Sequence, residues 1–172
     1  MKKVLVIQGG TSKEREISLQ TGKSCILALK KNGYKVFKLD PKYSSLNEVK
    51  KNNPDVIFNC LHGKNGEDGK VQSFFEYYRV PYTHSGVLSS MIAMNKYFSK
   101  QIFIKNKIMT PKYFFINKNN FSIKNLKKKI TKGNLEFPIV VKPNDEGSSI
   151  GVRICKNLKK LNMESSKLIK IY

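Results

Sequence analysis

The twelve residues His62-Gly63-Lys64-Asn65-Gly66-Glu67-Asp68-Gly69-Lys70-Val71-Gln72-Ser73 place a histidine, three glycines and two acids in one short span. The apolar run Val56-Ile57-Phe58 lies just before, so His62 falls where a strand ends. A helical pattern of Val71, Phe74, Phe75 and Tyr78 begins at about Gly69. In an open α/β sheet, ligands bind beyond the carboxyl ends of the strands. An imidazole at that point, followed by a turn free to bend, suits a small polar ligand. Glu67 and Asp68 read as residues that fix the loop and cap the following helix.

Two further stretches have the composition of ligand loops. Gly9-Gly10-Thr11-Ser12-Lys13-Glu14-Arg15-Glu16-Ile17-Ser18 joins a first strand to a first helix. Its glycines permit close backbone approach and the helix start presents free N–H groups. A plain turn with Ser12 as N-cap and acids in the first helical turn satisfies the same residues. Glu146-Gly147-Ser148-Ser149-Ile150-Gly151 offers backbone N–H groups and hydroxyls without bulk, as a phosphate-binding turn requires, and an ordinary serine-rich hairpin accounts for it equally. Lys142 ends the apolar run Ile139–Val141 ahead of Pro143, and Lys96 follows Asn95 at a helix start. Lysine acts on phosphate as a compact point charge. Thr21-Gly22-Lys23-Ser24 imitates the end of a P-loop. The glycine required five residues before Gly22 is Ile17, however, and the tetrapeptide lies inside a helix, so that reading is excluded.

The elements that position these residues follow from periodicity. Residues 3–8 read as a buried strand and 14–31 as a helix with Ile17, Cys25, Ile26 and Leu29, ended by Asn32-Gly33. Residues 34–39 alternate as a second strand, 45–51 form a weak helix and 55–59 a third strand. This βαβαβ order with short connections implies an α/β fold with a parallel, doubly wound sheet. Val80–Gly86 reads as a strand running into a loop, with helical patterns at 69–79, 86–93 and 95–106. Thr110-Pro111 opens a second unit: strand-like 112–116, a lysine-rich helix at 122–131, then a hairpin of Phe137–Pro143 and Ile150–Cys155.

Composition narrows the function class. A net charge of +21 invites a nucleic-acid reading, but the positive residues are lysines spread along the chain, with arginine only at 15, 79 and 153. Specific readers of nucleic acid use arginine forks and stacked aromatics, and no such cluster occurs. The charge still implies weak, salt-sensitive attraction to polyanions and steering of anionic ligands. No apolar run approaches the length of a membrane span. Cys25, Cys60 and Cys155 lack metal or disulfide spacing and point to a reducing cytoplasm.

In this order, the Gly9–Ser18, His62–Ser73 and Lys142–Gly151 stretches resemble the signature of the D-alanine–D-alanine ligases, ATP-dependent enzymes of the ATP-grasp superfamily. The resemblance covers residues 1 to about 155. It implies a preATP-grasp (Rossmann-like) domain over residues 1–95, followed by the start of an ATP-grasp domain over 96–172. It implies that Glu14 binds the ammonium of the first D-alanine and that His62 lies beside that amino acid and its carboxylate. It further implies that Lys96 and Lys142 contact ATP phosphates and that the Ser148-Ser149 turn covers them. The resemblance also implies that Ser148 joins a hydrogen-bond network with Glu14, the two forming the catalytic pair. The family usually carries aspartate where Asn95 stands and glycine where His84 stands. The first departure alters capping; the second puts a bulky group near the mouth of the site.

The implied reaction joins two D-alanines at the cost of ATP, through an acyl phosphate, for peptidoglycan precursors. The implied enzyme is cytoplasmic, homodimeric at full length and dependent on Mg²⁺ or Mn²⁺. No Glu-x-Asn pair exists in this sequence to bind that metal. The expectation is therefore an N-terminal half of a ligase, inactive alone and poorly ordered from about residue 110. Two other readings are a related ligase with another acceptor, such as D-lactate, and a basic non-catalytic polyanion-binding module.

Overall fold

β1 (Lys3–Ile7) is apolar from Val4 to Ile7 because it lies between two parallel neighbours and is covered on both faces. The computed structural model describes residues 1–172 and gives the sheet order β2-β1-β3, with β2 at Lys35–Leu39 and β3 at Val56–Asn59. Val4 pairs with Val36 on one side and with Val56 on the other. Alternation then sends Leu5 and Ile7 to one face, with Leu39, Ile57, Val71 and Phe75. It sends Val4 and Val6 to the other, with Ile26 and Cys60.

α1 (Arg15–Lys31) covers the second face through Ser18, Gly22 and Ile26, spaced by four residues. Gly22, the glycine of the false P-loop, is there for packing: a Cβ on it would lie 1.9 Å from Gln8 Oε1. α2 (Lys70–Tyr77) covers the first face, and α3 (Val87–Met94) completes a unit spanning Met1–Met94. The expected strand at 80–85 is reduced to a single parallel bridge between Ile57 and Tyr82. Pro81 supplies its carbonyl to Ile57 N–H but has no N–H to extend a ladder. The weak helix at 45–51 is a 3₁₀ turn, Leu46–Lys50, capped by Ser45 Oγ accepting from Asn47 N–H.

Asn95–Tyr172 forms a second unit. It contains α4 (Lys96–Lys105), α5 (Ile123–Lys132), the antiparallel pair β4 (Ile139–Val141) and β5 (Arg153–Cys155), and α6 (Leu158–Ile171). Its core gathers Leu126, Ile139, Cys155 and Leu161. The expectation of poor order from residue 110 is not what the structure gives. α6, unread in the sequence, packs on the hairpin and covers its Ile139–Cys155 face. The strand expected at 112–116 is absent; Phe114 and Ile116 pack on the same core without a ladder partner. No helix is long and apolar enough to cross a membrane.

Asp40, just past β2, ties the first unit together. It accepts from Gly10 N–H at 2.9 Å and Lys42 N–H at 3.0 Å, and binds Arg15 through both carboxylate oxygens at 3.1 and 2.7 Å. Burial pushes its pKa up, but Arg15 and the two N–H groups outweigh that and hold the carboxyl below its ordinary range. The folded state therefore binds this proton less readily than the unfolded chain, so the stabilisation is complete above the ordinary aspartate range and fades as pH falls through the folded value. Asp40→Asn is expected to lower stability at neutral pH and to flatten that acid limb, as read by urea titration at several pH values. An unchanged acid limb would assign it to other carboxylates.

Candidate functional site

The loops after β1, β2 and β3 leave the same edge of the parallel sheet, so Gly9–Glu14, Asp40–Ser45 and Cys60–Gly69 meet there. Gly9 has φ +82°, and a Cβ on it would lie 2.5 Å from Asp40 Oδ2, so only glycine fits. Its N–H donates to Ser18 Oγ at 2.7 Å, and that hydroxyl donates to Cys60 O at 2.7 Å. Ser12 Oγ donates to His62 O at 2.7 Å and accepts from Glu14 N–H at 3.1 Å. One hydroxyl thus fixes the two chemistry-bearing loops to each other.

Glu14 stands immediately before α1 and is only 6% exposed. Its Oε1 closes over Gly63, where a Cβ would come within 2.7 Å of it. His62 Nε2 lies 3.1 Å from Thr21 Oγ1, and Nδ1 lies 3.8 Å from Glu67 Oε1. Glu67 Oε2 accepts from Gly63 N–H at 2.6 Å, which holds the turn closed. Ligand atoms of Glu14, His62 and Glu67 all fall within 4.8 Å of one another. A cleft of about 500 Å³ borders this group, lined among others by Gly10, Ser12, Leu46, His62, Lys70 and Phe74.

Magnesium takes near-octahedral oxygen ligands at about 2.0–2.1 Å. The cluster offers one imidazole nitrogen and two carboxylates, one of them engaged on Gly63 N–H. It does not fit that ion. Two carboxylates beside an imidazole suit an organic ammonium and its neighbouring carboxylate.

The second unit assembles its own group of cations. Asn95 Oδ1 caps α4 by accepting Phe98 N–H at 3.0 Å. Lys96 Nζ donates to Asn144 O at 3.2 Å and to Glu146 O. Burial lowers the Lys96 pKa, and Lys142 lowers it further against the opposing pull of Asp145 and Glu146. Lys142 follows a strand that is buried only in part: Val140 is 51% exposed and Lys142 shares that open face. Ser148 and Ser149 sit exposed in a tight turn with φ +45° and +60°. Strained backbone of this kind collects at ligand turns.

Sequence reasoning missed Thr21, seven residues and two helical turns beyond Glu14 on the same face of α1. It also missed Arg15–Asp40 and the amides of Asn59 and Gln72, which only the folded sheet brings to the loops.

Comparison with known proteins bears on these residues. The family profile described as D-ala D-ala ligase N-terminus matches residues 38–85, and the D-ala D-ala ligase C-terminus profile matches residues 102–171. The chain is 52% identical to a D-alanine–D-alanine ligase of Pelagibacter ubique, over 98% of this chain and 57% of that protein. It is 42% identical to one from the Wolbachia of Brugia malayi, over 88% of this chain and 42% of that protein. The chain spans about half the length of the curated relatives it matches. A Bacillus anthracis D-alanine–D-alanine ligase complexed with ATP superposes with a TM-score of 0.83 at 33% identity, covering 99% of this chain and 55% of that one. A D-Ala:D-Ser ligase from Enterococcus faecalis gives a TM-score of 0.77 at 25% identity, over 96% and 58%.

Proposed function

This chain belongs to the D-alanine–D-alanine ligase family, and on that premise we propose that it supplies the first-substrate side and part of the ATP side of an enzyme making D-alanyl-D-alanine. The observation that carries this reading is the buried Glu14 carboxylate grouped with His62 beyond the parallel strands. An amino acid bears its ammonium and carboxylate on one carbon. Glu14 takes the ammonium by a charge-assisted hydrogen bond, and His62, held by Thr21 and Glu67, orients the carboxylate.

Lys96 and Lys142 repel each other at close range, and a polyanion relieves that repulsion. We assign them, with Ser148 and Ser149, to the phosphates of ATP. A carboxylate oxygen of the first D-alanine then attacks the γ-phosphorus and ADP leaves. The amine of the second substrate attacks the acyl carbon, forming the peptide bond as phosphate leaves. The acyl phosphate must be kept from water, which is the task of a closing loop. Mg²⁺, implied by the sequence resemblance, would neutralise charge on the transferring phosphoryl group.

For the acceptor our reading is D-alanine, which the names of relatives at 52% and 42% identity carry; another acceptor such as D-lactate is the alternative, and a structural neighbour at 25% identity is named a D-Ala:D-Ser ligase. Three unpaired cysteines support a reducing, cytoplasmic compartment; the family resemblance suggests a role in peptidoglycan precursor synthesis, and we take the enzyme to work as a homodimer.

The test is a chimera in which residues 1–172 replace the matching part of the Pelagibacter ligase. D-alanine-dependent phosphate release from ATP is expected. A folded chimera that binds ATP and releases no phosphate with D-alanine would overturn the reading. The 172-residue chain by itself should stay at background in the same assay.

A further inference from the structure

His84 is one of the two positions, with Asn95, where the ligase resemblance breaks, and two side-chain amides face its Nδ1. Asn59 Oδ1 accepts from Leu61 N–H at 3.1 Å, and a backbone N–H can only donate. The Asn59 amide is thereby oriented, with its Nδ2 donating to Gly66 O at 3.0 Å and facing His84 Nδ1 at 3.0 Å. Gln72 Nε2 donates to the same Gly66 O at 2.9 Å and faces the same Nδ1 at 3.4 Å. Two donors point at one ring nitrogen, so Nδ1 must be a lone pair. That arrangement assigns the neutral Nε2–H tautomer to His84. Flipping Gln72 would turn its oxygen onto Gly66 O, and Asn59 Nδ2 would still present a donor to Nδ1. In the observed orientation Gln72 Oε1 is already buried without a partner.

We propose that His84 is a positioning residue whose neutral Nδ1 braces Asn59 and Gln72 against Gly66 O, and that its protonation releases the His62–Glu67 turn. Gly66 adjoins Glu67, which holds Gly63 N–H and faces His62. Losing the brace therefore loosens the residues assigned to the first amino acid. The inference rests on that assignment for its consequence in catalysis, but the brace itself is a property of this chain.

The charged groups facing His84 are Glu67, which favours the imidazolium, and His62, which opposes it. Burial is the largest influence and lowers the pKa. Between the folded value and the ordinary histidine value of about 6.5, the unfolded chain holds a proton that the folded chain does not. The stability that the brace lends falls as pH drops across that window, and the brace itself is intact above the folded value and lost as pH falls through it.

The chain has two histidines, so imidazole NMR of the 172-residue protein reads each one separately. His84 is expected as the Nε2–H tautomer, titrating below the ordinary histidine range, with the Gly66 and Glu67 amide resonances moving at the same midpoint. His84→Asn places a carbonyl oxygen where Nδ1 was. It should preserve the neutral-pH positions of those amides while abolishing their titration at that midpoint. His84→Leu should displace them at every pH. No substrate enters the experiment, so failure of the ligase reading leaves the result untouched. An Nδ1–H tautomer, amides that ignore the His84 midpoint, or the same midpoint surviving in His84→Asn would overturn the proposal.

Discussion

Phe75→Ala should destabilise the unit Met1–Met94 by roughly 3–5 kcal/mol, the range for truncating a fully buried aromatic side chain. Phe75 is wholly buried on α2 and packs among Leu5, Ile7, Ile57 and Val71, with the Tyr82 ring 5.3 Å away and tilted. Such a loss is large against the roughly 5–15 kcal/mol that holds a typical domain folded. Phe74, its neighbour in sequence, is 42% exposed. Phe74→Ala should therefore cost under about 1 kcal/mol. Hydrogen exchange at the Leu5–Ile7 amides reports opening of this unit directly. Exchange there should accelerate steeply in Phe75→Ala and hardly at all in Phe74→Ala. Equal effects would mean that α2 does not seal the sheet.

The contrast between those two phenylalanines shows where the sequence was legible. Val4–Ile7, Val36–Leu39 and Val56–Phe58 announce strands by apolar runs and alternation. The glycine-rich composition of the loops at the ends of the first and third of them is enough to mark Glu14 and His62 as candidates. α6 was missed because lysines at 159, 160, 167 and 170 break up its apolar stripe. The usable signal was Asn157, whose side chain caps the helix by accepting Lys160 N–H at 2.9 Å, followed by Leu158, Leu161 and Leu168. Glu164, paired with Lys160 at 3.0 Å, gathers part of that charge. Residues 112–116 misled for the converse reason. Phe114 and Ile116 alternate because one side of an extended segment is packed, and packing alone makes no strand. The brace around His84 was out of reach, because Asn59, Gln72 and His84 meet only once β3 lies beside β1 and α2 folds back over it. Thr21 belonged to a tetrapeptide dismissed for phosphate binding, and its hydroxyl instead supports His62.

In the chimeric ligase, Glu14→Gln should raise the KM for the first D-alanine about ten- to a hundredfold and leave the KM for ATP nearly unchanged. Glutamine keeps the size of the side chain and one acceptor oxygen but removes the negative charge. A charge-assisted hydrogen bond contributes roughly 1.5–3 kcal/mol, which corresponds to that factor in affinity. The low exposure of Glu14 places the effect toward the upper end, since little water screens the pair. Folding should survive, because Ser12, Ser18 and the Arg15–Asp40 pair continue to fix this loop. The selectivity between substrates is the decisive reading: Glu14 belongs to the amino-acid side, whereas the lysines assigned to ATP, Lys96 and Lys142, lie in the other unit. Steady-state kinetics with each substrate varied at saturating levels of the other separates the two. If the ATP constant rises as much as the D-alanine constant, or neither moves, Glu14 serves only as an acid at the start of α1.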